Sequence, residues 1–206
     1  MTATSTITRK QTAPAAESVV TPERFAEGIP SFAAWMKTIE KNHENFQRHY
    51  DEWVPDQGDL DAVKALVEKH GLKALVIGED WCPDVWRGLP VAARISELTG
   101  METRYVLRDQ NKDIMSEFLK DGEFESVPVV VFYDRDHRYL GHWIERSDLA
   151  NAEMPELRKV MAGLEPKTPE HDAARVKYGE SVWAHAEGWR DAQLTETRAL
   201  LEEALG

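Results

Sequence analysis

The chain has 206 residues, 42% of them hydrophobic and 30% charged, which is enough length and apolar mass for one full core. A formal net charge of -12 repels a phosphate backbone and argues against nucleic acid as a partner. No apolar run approaches the roughly 20 residues needed to cross a bilayer, so a membrane partner is not expected either.

Residues 1–20 are mostly Thr, Ala, Ser and Pro, with too few large apolar groups to offset the entropy of ordering, and are expected to form a disordered tail. The stretch lacks the apolar core of a secretory signal. It carries Arg9 and Lys10 and no acid before Glu17, but is too short of arginine and too weakly amphipathic for a transit peptide, which leaves a cytoplasmic location as the expectation. Residues 21–58 read as a helical extension. Pro22 suits a first helical position, Ser31 a second cap, and Phe32, Trp35, Met36, Ile39 and Phe46 recur at helical spacing, with a break near Gly28 and Pro30.

After a turn at V-P-D-Q-G, Leu60, Val63, Leu66 and Val67 repeat at three and four, and Gly71 closes that helix. Residues 72–77 form a short apolar run without alternation, as expected of a strand covered on both faces. Trp81-Cys82-Pro83-Asp84 follows and opens a helix that Gly100 ends. A second strand centres on residues 105–107, a helix on 111–120, and a third strand on 128–133. Residues 138–144 pair with the third strand as a hairpin, and 148–164 form the next helix. Two strands joined through a helix imply a parallel pair with a right-handed crossover. Beyond residue 165, Val182, Trp183, Trp189, Leu194 and Leu201 form a stripe that is imperfect around Gly188, which predicts two helices rather than one. Its tryptophans are expected to pack on the chain's own surface, with a homodimer contact through the terminal helices as the alternative.

The single cysteine excludes an internal disulfide and a thiolate zinc site, and suits a reducing compartment. The seven histidines show no spacing that places two imidazoles on one helical face, so no metal is expected and they read as surface residues. Chemistry therefore concentrates at Cys82. Pro83 is suited to the first helical position, which puts the sulfur at the N-cap, where free backbone N–H groups lower a thiol pKa. Glu79, Asp80 and Asp84 act the other way. If those carboxylates face water they are screened, and a modestly depressed pKa is the expectation.

Four features in order resemble the thioredoxin family over residues 60–164: an apolar strand running into Trp81-Cys82, Pro90 inside the following helix, a Val127-Pro128 pair opening a later strand, and a hairpin strand with Gly141 followed by a helix. The run Gly141-His142-Trp143-Ile144-Glu145-Arg146 resembles a bacterial thioredoxin-like subgroup with long added helices. The resemblance implies an α/β, thioredoxin-like three-layer fold with a central mixed sheet, in a domain of residues 59–165, with helical extensions at 21–58 and 166–206. It also implies a cis bond before Pro128, which the residues alone leave open against a trans proline beginning an edge strand. By the same resemblance Cys82 is the candidate catalytic residue, with Trp81, Pro83, Val127, Pro128 and His142 as candidate substrate contacts. The Val127 backbone would pair with an extended peptide or glutathione.

Two residues depart from the family pattern. Val85 stands where W-C-x-x-C has its second, resolving cysteine, and Val76 stands where thioredoxins keep a buried carboxylate. A lone thiol forms a mixed disulfide but needs an external thiol, such as glutathione, to release it. Two functions follow as expectations: a monothiol thiol–disulfide oxidoreductase acting on a protein or small-thiol disulfide, or a redox-inert module that binds a peptide or protein. A cluster-holding monothiol glutaredoxin is disfavoured, since those carry C-G-F-S where this chain has C-P-D-V.

Overall fold

The computed structural model describes residues 18–206, so most of the predicted tail lies outside the described residues. Ser18–Val20 do not behave as a tail: Val20 is buried in the core and Ser18 Oγ donates a hydrogen bond to Glu117. Thr21 then caps α1 (Pro22–Ala26), accepting from the Arg24 N–H. The expected break falls at Ile29, whose backbone bridges to Tyr105, before Ser31 caps α2 (Phe32–Thr38). A second break precedes α3 (His43–Asp51), where Asp80 Oδ2 accepts the N–H groups of Glu40 and Lys41. The N-terminal extension is thus three helices.

Asp56 caps α4 (Gln57–His70), which ends at Gly71 with φ 62, a left-handed turn that favours glycine. Strand β1 (Lys73–Gly78) leads to α5 (Pro83–Thr99), β2 (Glu102–Leu107), the short α6 (Lys112–Met115), β3 (Val129–Tyr133) and β4 (Tyr139–Ile144). The helix expected over 111–120 stops after one turn; residues 116–124 form turns closed by the Lys120–Phe124 bridge. The sheet order is β2-β1-β3-β4, with β1 and β2 parallel and the β1–β3 and β3–β4 pairs antiparallel. The mixed sheet is therefore the expected one, and β1, flanked on both sides, has Leu75, Val76 and Ile77 all sealed from water.

Strand alternation divides the sheet's two faces. Val130 and Phe132 line one cavity with Ala92 and Ile95 of α5, so they face that helix. Trp143, paired with Val130, shares this face, and its Nε1–H donates to Glu196. Tyr133 takes the opposite side, packed edge-on against Phe25 of α1.

Helix α7 (Asp148–Arg158) ends in a 3-10 turn at Lys159–Met161, and α8 (Pro169–Leu205) then runs unbroken. This corrects the two-helix expectation. The buried stripe changes partner along one helix: Val182 and Trp189 close a small cluster with Ala150 and Met154 of α7, while Leu194 and Leu201 enter the main core. Gly188 marks the handover, facing Leu149 with room for a methyl group. Trp189 is buried against α7, and Trp183 lies under the Arg48 guanidinium, 3.4 Å from its ring centroid. Phe25, Trp35 and Phe46 from the N-terminal helices share one core with the sheet and with Leu194 and Leu201 of α8, so the terminal segments are integral to the fold.

Candidate functional site

Cys82 is the N-cap of α5, with extended backbone (φ -86, ψ 123), and Pro83 holds the first helical position. The sulfur is half-buried, and its S–H donates to the Val127 carbonyl at 3.8 Å. The Val127–Pro128 peptide is cis. The structure thus brings together, from distant parts of the chain, the thiol, the helix tip and the proline loop.

The thiol's charge balance differs from the expectation. Burial pushes the Cys82 pKa up, and this outweighs the backbone N–H groups of Val85 and Asp84, which act to lower it. The condition that failed is exposure of the carboxylates. Asp84 is half-buried between Arg87 at 3.0 Å and Arg146 at 3.1 Å, and its own pKa is raised, chiefly by burial. Glu79 is buried too, its Oε1 accepting the Asp109 N–H at 2.7 Å, and burial raises its pKa. Screening by water is lost, and Asp84 adds to the raised thiol pKa.

The other candidate residues separate into two groups. Trp81 is 45% exposed and lies under the Arg108 guanidinium, 4.9 Å from its ring centroid, and Pro83 is exposed. Arg108 also reaches the Glu125 carbonyl, tying Trp81 to the loop before the cis proline that carries the exposed Phe124. Val127 and Pro128 are buried, and the Val127 carbonyl already holds the thiol, so they shape the thiol's surroundings without offering open surface. His142 does not face this site. It pairs with Val131 in the sheet, and because Trp143 takes the α5 side, alternation sends His142 to the opposite face. There it is fully buried, sharing a 2.7 Å hydrogen bond between Nδ1 and the Tyr139 hydroxyl and packing edge-on to Phe118. His49 likewise corrects the surface-histidine reading: it is buried, and desolvation, reinforced by neighbouring arginines, pushes its pKa down to about 3.

Val85, in the resolving position, is fully buried and Val76 is sealed in β1, so neither a second thiol nor a strand carboxylate attends Cys82. Among the described residues no group of three or more His, Cys, Asp or Glu is placed to hold a metal ion. Sequence reasoning missed a narrow cleft beside the thiol's helix, with a cavity volume of about 30 Å³ and partly open to solvent, lined by Asp84, Arg87, Arg146, His49 and Arg190 among others. A signal for it existed: Arg190 and Gln193 fall in helical register with Ala186, Leu194 and Leu201 on the buried stripe.

A parallel β-α-β unit, a cysteine at the tip of its helix and a cis-proline loop against that sulfur define a thioredoxin-like protein. The thioredoxin family profile matches residues 29–158, and the chain belongs to that family. Among solved structures, a protein of unknown function from Pseudomonas aeruginosa is 18% identical with a TM-score of 0.58, the match covering 87% of this chain and 95% of that one. An HIV epitope-scaffold is 16% identical with a TM-score of 0.59, covering 91% of this chain and 99% of its own. At these identities the likeness is one of fold. No curated protein matches the chain.

Proposed function

We propose that this chain is a monothiol member of the thioredoxin family that exchanges disulfides in one step at Cys82 and relies on an external thiol for release. The observation that carries the reading is the Cys82 sulfur, half-buried at the tip of α5 and 3.8 Å from the Val127 carbonyl, with Val85 in place of a resolving thiol. In the first step the Cys82 thiol loses its proton and the thiolate attacks one sulfur of a disulfide. The new Cys82 disulfide forms, the old one breaks, and the second sulfur leaves as a thiolate. An external thiolate, such as that of glutathione, then attacks the mixed disulfide and expels Cys82. The Val127 carbonyl accepts a hydrogen bond only from the protonated thiol, so it favours the resting form, and exchange accelerates as pH rises. Trp81 and Pro83 supply the exposed surface against which a protein or small-thiol disulfide is held. A reducing compartment fits this chemistry, and no described helix is long and apolar enough to cross a membrane.

The test is turnover of a glutathionylated peptide in the presence of glutathione. Cys82→Ser is expected to reduce the rate to the uncatalysed background while leaving the fold intact. Equal rates for the variant and the parent would remove the exchange reading and leave a redox-inert peptide-binding module in its place.

A further inference from the structure

We propose that the cleft between α5, the β4–α7 turn and α8 is an oxyanion-binding site, in which Arg190 and Arg87 receive the carboxylate or phosphate of a small molecule. The charge count of its lining carries the proposal. Three guanidinium groups, Arg87, Arg146 and Arg190, line the cleft together with two carboxylates, Asp84 and Glu145. Asp84 is shared between Arg87 and Arg146, and Glu145 between Arg146 and Lys120. Arg190 is left over. It is 6% exposed, yet among the described residues no carboxylate lies within ion-pair distance of it. Its hydrogen-bond partner is His49 Nδ1, 3.5 Å from Nη1, and a histidine held neutral brings no compensating charge. The face of Trp183, at 5.4 Å from the guanidinium carbon to the ring centroid, adds only a cation–π contact.

A buried cation without a counter-ion in contact costs free energy that most folds avoid by pairing or exposing it, and Glu52, Glu187 and Asp191 act on Arg190 only from beyond ion-pair distance. Here the chain keeps it, on the wall of a narrow cleft that is partly open to solvent, in a molecule whose formal net charge is -12. The Nε–H groups of Arg190 and Arg87 are both buried without an acceptor among the described residues. An oxyanion seated between them would satisfy those donors and neutralise the surplus charge, the geometry for which a guanidinium fork is suited. The site does not require Cys82 chemistry.

The test uses the full chain and follows tryptophan fluorescence, since Trp143 and Trp189 line the cleft. Inorganic phosphate, acetate and glutathione are titrated at constant ionic strength in chloride. Saturable binding of at least one is expected, and the order of affinities distinguishes a phosphate source from a carboxylate one. Arg190→Met is expected to weaken that binding about tenfold to a hundredfold, the range of a charged hydrogen bond, whereas Cys82→Ser leaves it unchanged. The bound anion is also expected to raise the melting temperature of the parent and not that of Arg190→Met. Should Arg190→Met not fold, Arg190→Lys serves, and a several-fold weakening is expected from loss of the planar fork. No saturation by any of the three anions, or equal affinity in parent and Arg190 variant, would overturn the proposal.

Discussion

At the scale of single residues, the behaviour of Cys82 is decided by burial and by one carboxylate. Its alkylation rate is expected to rise with pH to a midpoint above the value of an unperturbed cysteine, about 8.5, because burial raises the thiol; a midpoint below that value contradicts this. Asp84→Asn removes the negative charge that raises Cys82 and leaves Arg87 without its partner. Alkylation at neutral pH is therefore expected to speed up several-fold, while stability falls by about 2 kcal/mol, the scale of a hydrogen bond to a charged group. His49 offers a separate check. Its folded pKa is depressed to about 3, so below its unfolded value near 6.5 the unfolded chain binds the extra proton. The stability it contributes is present above that pH and is lost as pH falls toward the folded value, at up to about 1.4 kcal/mol per unit. His49→Gln is expected to flatten this part of the acid limb in chemical denaturation measured from pH 7 to 4, and an unchanged slope would count against it. The sequence made the lone thiol and its cap proline legible, because both depend on local order. The thiol's raised pKa and the inward turn of His142 were not legible, because each depends on which face of a distant element covers it.

At the scale of elements, the strands and the turns between them follow from apolar runs and from Gly71 and Gly100, both at positive φ. Periodicity misled at α8, whose buried face rotates between α7 and the main core, so a single helix carries two stripes that do not align. Gly188 suggested a break, but lies in mid-helix, and a methyl group there would meet Leu149 at an ordinary 3.7 Å. Gly188→Ala is accordingly expected to stabilise the protein by about 0.5–1 kcal/mol, through helix propensity, in urea denaturation. A loss of stability of similar size would mean that the α7–α8 contact is tighter than described.

For the molecule as a whole, the thioredoxin-like sheet was legible from the order of four motifs, whereas the burial of both flanking helical segments in its core was not. Local sequence shows where helices begin and end but not that Trp35 from the front and Leu201 from the end are sealed in one core. A chain ending at residue 165 loses Leu194 and Leu201, each worth about 2–5 kcal/mol by the cost of truncating a buried leucine, and is expected to show no cooperative thermal transition by circular dichroism.

Intact mass of the folded protein after exposure to oxidised glutathione, then to reduced glutathione, addresses exchange at Cys82 most directly. The expected result is one glutathione adduct that forms faster at higher pH and is fully removed by the reductant. A folded chain that takes no adduct while the denatured chain is readily modified would contradict the exchange chemistry assigned to this thiol.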